Sequence, residues 1–157
     1  LVGGVTIIAD LAIAVIFSAC DKEEELTNTA PTTTPTTYDF SCKVGGSPFT
    51  DNSPIVVIDP SSNVLTLDAK NGENTIRIII YNFSGRIIGE EVSLNYGAAI
   101  SGALVTKDGV DYTNTQSGTL IFTKIDAKLS GTFDFTSRAV DFSSKSVTEG
   151  VFEDLTY

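Results

Sequence analysis

Residues 117–136 read SGTLIFTKIDAKLSGTFDFT, and Ser-Gly-Thr followed by an alternating run occurs twice, thirteen residues apart. The alternation puts Leu129, Gly131, Phe133 and Phe135 on one side of a strand. Ser130, Thr132, Asp134 and Thr136 fall on the other, the pattern of a sheet wet on one face. Asp126-Ala127 is the candidate turn between the two copies. If those residues close a hairpin, Leu120 stands opposite Phe133 and Phe122 opposite Gly131, where an aromatic ring would shield the bare glycine backbone. Helical periodicity with caps is nowhere comparable beyond the first twenty residues.

The same period of two runs through the rest of the chain from Tyr38. Phe40-Ser41-Cys42-Lys43-Val44 alternates and meets Gly45-Gly46, a strand and a turn. Val56-Val57-Ile58 is stopped by Asp59-Pro60. Val64–Ala69 is a strand that leads to Asn71-Gly72, a hairpin turn in which both residues tolerate positive φ. Thr75–Phe83 reads as a central strand, with Ile76, Ile78 and Ile80 on its covered side and Ile79 and Tyr81 on the other. Two weaker strands flank Asn95-Tyr96-Gly97, with Ala98–Thr106 the better defined. Lys107-Asp108-Gly109 turns into Val110-Asp111-Tyr112. The final strand, residues 146–157, shifts its apolar parity near Gly150, which marks a bulge. Turns every eight to twelve residues predict one all-β domain over 38–157, an antiparallel β-sandwich or meander barrel of about 8–10 strands.

The first 37 residues carry a different message. Leu11–Phe17 is apolar, too short for a membrane-spanning helix and of the length of a signal-peptide h-region. The chain has no methionine and begins at Leu1, so its start is expected to be truncated or unusual. Residues 17–20 read FSAC. Phe17, Ser18 and Ala19 before Cys20 resemble a bacterial lipobox, which implies cleavage of a 1–19 signal-peptide helix and a diacylglyceryl thioether on Cys20. Asp21-Lys22-Glu23-Glu24-Glu25 resembles the acidic export signal of Bacteroidetes-type surface lipoproteins. It implies an outer-membrane lipoprotein exposed at the cell surface, with the periplasmic face of that membrane as the alternative. Residues 20–37 complete an acidic, Thr/Pro-rich segment without apolar periodicity, the composition of a disordered tether. Residues 116–157, and more faintly 40–50, resemble an uncharacterised family of Bacteroidetes-type lipoproteins. The likeness lies in Ser-Gly-Thr-Phe-x-Phe and a closing Gly-x-Phe strand ending in Tyr. It implies a single β domain and brings no activity with it.

Little in the chain points to chemistry. With no histidine, neither a Ser-His-Asp triad nor a His-bearing zinc site can be built. The densest carboxylates of the β domain are Glu90-Glu91, Asp108/Asp111 and Glu153-Asp154, the only raw material for a carboxylate-based hydrolase. Asp68–Asn74 lacks the ligand spacing of a calcium loop. Asp51, Asn52 and Asp59 are loop oxygens without a motif. Cys42 falls on an inward face as a small core residue. A charge of −10, from 20 acids and 10 bases, opposes nucleic-acid binding. No cofactor, metal site or catalytic residue is expected. The leading expectation is a non-enzymatic binding or structural module, anchored to a membrane by its lipid, with a glycan, protein or hydrophobic ligand as target. A lipocalin-like carrier with an apolar cavity is the alternative. An outward ribbon of Tyr38, Tyr81, Tyr96 and Tyr112 would favour a glycan or protein binder.

Overall fold

A computed structural model describes residues 38–95 and 101–157. Eleven strands are present there: β1 (Phe40–Val44), β2 (Ser47–Asp51), β3 (Ile55–Asp59), β4 (Val64–Asn71), β5 (Asn74–Tyr81), β6 (Glu91–Ser93), β7 (Gly102–Lys107), β8 (Val110–Tyr112), β9 (Asn114–Ile125), β10 (Lys128–Arg138) and β11 (Ser144–Thr156). They form two antiparallel sheets, ordered β2-β1-β11-β10-β9-β6 and β3-β4-β5-β7-β8, packed as a sandwich and not closed into a barrel. The expectations placed on the 1–19 signal peptide, on Cys20 and the tether, and on the turn at Tyr96-Gly97 lie outside the described residues. So does the start of the strand expected from Ala98.

The turns explain the strand count of eleven, against the eight to ten expected. Gly45 and Gly46 both have positive φ, which allows a two-residue loop that folds β2 straight back on β1. Asp108-Gly109 does the same between β7 and β8. The β4–β5 loop differs from expectation by one residue. Asn71 pairs with Asn74, so the turn is Gly72-Glu73, and Gly72 alone takes positive φ. β5 is the central strand of its sheet, and Ile76, Ile78 and Ile80 are fully buried on its inner side.

In the β9–β10 hairpin Leu120 pairs with Phe133 and Phe122 with Gly131, the pairs expected of a turn at Asp126-Ala127. Near the turn the pairing is Ile125 with Leu129, so three residues lie between, and a register shift before Gly131 absorbs the extra one. β11 contains two bulges. Glu149 lies in the first and Asp154 in the second, both with left-handed backbone. They place Val147, Gly150, Phe152 and Leu155 on the inner face at spacings that plain alternation forbids. The parity shift near Gly150 is therefore a bulge, with Glu149 as the residue of positive φ.

Between the sheets, the first sheet contributes rings and the second mostly aliphatic side chains. Phe49, Phe40, Phe133, Phe152, Phe122, Phe83 and Tyr157 form a chain with neighbouring centroids 5.1–6.3 Å apart. Leu65, Leu67, Ile76, Ile78 and Ile80 complete the same core. Gly131 and Gly150 let the rings of Phe152 and Phe133 lie down on the sheet, and Gly118 gives room to the Cβ of Phe135. A Cβ at Gly118 would meet Phe135, one at Gly131 Phe152 and one at Gly150 Phe133, each at 2.5–2.6 Å. The ring over Gly131 is thus that of Phe152 on β11, its other cross-strand neighbour, and not that of Phe122.

Candidate functional site

The residues that carried functional expectations fall in three groups. Phe17, Ser18, Ala19, Cys20 and Asp21-Lys22-Glu23-Glu24-Glu25 lie outside the described residues. The tyrosine ribbon does not assemble, because Tyr112 is buried in the core while Tyr38 and Tyr81 are exposed; Tyr96 lies outside the description. Of the candidate carboxylates, Asp108, Asp111 and Asp154 have side-chain partners, whereas Glu90, Glu91 and Glu153 make no side-chain hydrogen bond among the described residues. Asp111 accepts from Thr106 Oγ1 at 2.7 Å, Asp108 pairs with Lys107 at 3.0 Å and Asp154 with Lys124 at 2.9 Å. Asp68 is gripped by Arg77 through two nitrogens, at 2.6 and 2.9 Å. Asp51 accepts the backbone N–H groups of Ser53 and Lys70. Four donors of Ser61 and Ser62 reach the Asp59 carboxyl, whose pKa they hold down at about 2. Among the described residues no group of three His, Cys, Asp or Glu is placed to hold a metal ion. Cys42 lies on the inner face, and burial pushes its thiol up to about 12.

One loop stands apart from this surface. Arg138 ends β10 and Ser144 begins β11, and between them the chain reads Ala139-Val140-Asp141-Phe142-Ser143. The Phe142 N–H donates to the Ala139 carbonyl at 3.1 Å and the Ala139 N–H to the Ser143 carbonyl at 2.9 Å. Asp141 accepts from the hydroxyl and the N–H of Ser143, which hold its carboxyl below the usual range. The loop is a hydrogen-bonded turn followed by one left-handed residue, the position that hairpins of this kind give to glycine. Here it is Phe142, with φ 67°. A bulky residue in that region costs on the order of 1–2 kcal/mol. Burial does not offset the cost, because Phe142 is 77% exposed and Val140 94% exposed. The Arg138 guanidinium lies 5.6 Å from the centre of the Phe142 ring.

Beside the loop opens a groove of about 590 Å³, lined by Leu104, Thr113, Asn114, Arg138 and the loop. Buried hydrogen bonds set its walls. The Thr115 hydroxyl accepts from the Ala103 N–H at 2.9 Å and donates to the Ala103 carbonyl, to which Ser137 Oγ also donates at 3.0 Å. Ala103, Thr115 and Ser137 are all buried, and each is the chain neighbour of a wall residue: Leu104, Asn114 and Arg138. The groove thus sits where the two sheets are stitched together, with Leu104, Asn114 and Arg138 on strands and the loop 139–143 as its other wall.

The sequence reading missed Arg138, Val140 and Phe142. Their signal was an apolar pair around Asp141 in a stretch that must turn between two strands, where polar residues and glycine are the rule. Compared with known proteins, the chain matches no family model, no curated protein and no solved structure.

Proposed function

We propose that this chain is an outer-membrane lipoprotein, lipidated at Cys20, whose β-sandwich is a non-catalytic binding module that makes contact through the loop 139–143. The resemblance of Phe17-Ser18-Ala19-Cys20 to a lipobox supports the anchor, and that of the acidic run Asp21–Glu25 to an export signal favours the cell surface over the periplasmic face. The observation that carries the contact surface is Phe142, a strained aromatic side chain held out in solvent. Folding alone selects glycine or asparagine there. The connectivity agrees with this division. Phe40 pairs with Phe152 and Lys128 with Thr156, so the chain enters the sandwich toward one end of the first sheet, while Arg138 and Ser144 meet at the other. The eleven residues of β10 separate the two ends by about 35 Å.

Thermal melting of Phe142→Gly tests the contact surface. The variant is relieved of about 1–2 kcal/mol of backbone strain and loses about 0.5 kcal/mol of cation–π attraction. The net gain of about 1 kcal/mol should raise Tm by ~3–5 °C. A variant melting below the wild type would mean that Phe142 serves the fold, and the contact reading would fall.

A further inference from the structure

The groove beside Phe142 is unbalanced in its hydrogen-bonding groups. Asn114 Oδ1 already accepts from Gln116 Nε2 at 2.8 Å, and among the described residues the Asn114 amide nitrogen has no acceptor, which leaves it available as a donor. Arg138 brings a planar fork of N–H donors, and among the described residues no carboxylate or carbonyl accepts from it. No acid lines the groove. Asp141, the one carboxylate of the loop, is turned onto Ser143. Thr113 is the remaining polar side chain, and Leu104, Ala139, Val140 and Phe142 make the apolar walls.

We infer that this groove binds a short saccharide carrying a single carboxylate, with that carboxylate on Arg138 and an apolar ring face against Phe142 and Val140. The inference rests on reading loop 139–143 as a contact surface. A surplus of donors calls for a ligand with a surplus of acceptors, and a carboxylate matches the guanidinium fork with two parallel hydrogen bonds. An extended peptide fits less well, since it brings one N–H for every carbonyl to a groove with few acceptors. A pyranose offers C–H faces to the apolar walls and ring and hydroxyl oxygens to Asn114 and Thr113. The volume lies within the roughly 300–1,000 Å³ of small-molecule sites. One carboxylate is the limit. A single guanidinium faces the groove, and a chain of net charge −10 repels a long polyanion. Acids more than about 8 Å away are screened at physiological salt.

Amide NMR spectra of the full chain carrying Cys20→Ser, titrated with three probes, test this. The probes are a glucuronate-terminated disaccharide, its methyl ester, and a short peptide with a free C-terminal carboxylate. The acid sugar should shift the amides of Leu104, Thr113, Asn114 and residues 138–143, and bind about tenfold or more tightly than the ester. Arg138→Gln should abolish that difference, while Arg77→Gln should keep it. Equal binding of acid and ester in the groove overturns the carboxylate and leaves the loop a contact surface. A peptide that binds as well as the acid sugar overturns the saccharide. If no probe shifts these amides, the inference is wrong as a whole. The melting of Phe142→Gly then tells separately whether the contact reading survives it.

Discussion

At Gly131 a methyl group would lie 2.6 Å from the Ile121 carbonyl oxygen and 2.6 Å from the Phe152 ring. The oxygen belongs to the ladder and cannot retreat, and the ring is packed in the chain of aromatics. Gly131→Ala should therefore cost about 2–4 kcal/mol and lower Tm by 8 °C or more, measured by thermal melting. Gly85→Ala, where nothing lies within 4 Å of the added carbon, should change Tm little. Cys42 gives a test on the alkaline side. Burial raises its thiol to about 12 against an ordinary 9.0, so between those values the unfolded chain loses a proton that the folded chain keeps. The stability that depends on the neutral thiol is complete below pH 9 and is lost as pH rises toward 12. Unfolding titrations from pH 8 to 12 should show a wild-type slope steeper than that of Cys42→Ala by about 1 kcal/mol per pH unit. Parallel slopes would mean that the thiol ionises freely in the fold.

Among the elements, the hydroxyl bridge between β7, β9 and β10 gives the sharpest prediction. Thr115→Val keeps the shape of the side chain and removes the oxygen that serves both the N–H and the carbonyl of Ala103. Leaving that buried N–H without a partner should cost about 1–3 kcal/mol, and the amides lining the groove should shift in the same spectra. Strands and inward faces were legible in the sequence, because burial on one side writes a period of two that composition does not blur. The pairing of Leu120 with Phe133 followed from that period together with a turn at Asp126-Ala127; the turn is one residue longer, and the shift before Gly131 restores the register. Bulges were legible only through their effect on parity. Gly150 drew attention as the glycine, whereas the left-handed residues are Glu149, which no residue preference singles out, and Asp154, whose type tolerates that backbone but is too common in the chain to mark it. Asn71-Gly72 misplaced its turn by one because Gly72 alone supplies the required φ, and either neighbour could have completed the loop. The order of strands was not legible. It depends on which edges meet across long connections, and alternation says nothing about that.

For the whole molecule, the proposed function separates an anchoring segment, residues 1–37, from a sandwich that makes contact through the loop 139–143. The loop 139–143 escaped the sequence reading because Val140 and Phe142 stand where the rule used to find turns expects polar residues and glycine. The proposed anchor rests on the sequence alone, since Cys20 lies outside the described residues. The measurement that tests the anchored module most directly is metabolic labelling of cells with radioactive palmitate, comparing the wild type with Cys20→Ser. The account predicts labelled wild-type protein in the outer-membrane fraction and an unlabelled variant that is released from it. A variant that keeps its label, or a wild type that never acquires any, would contradict it.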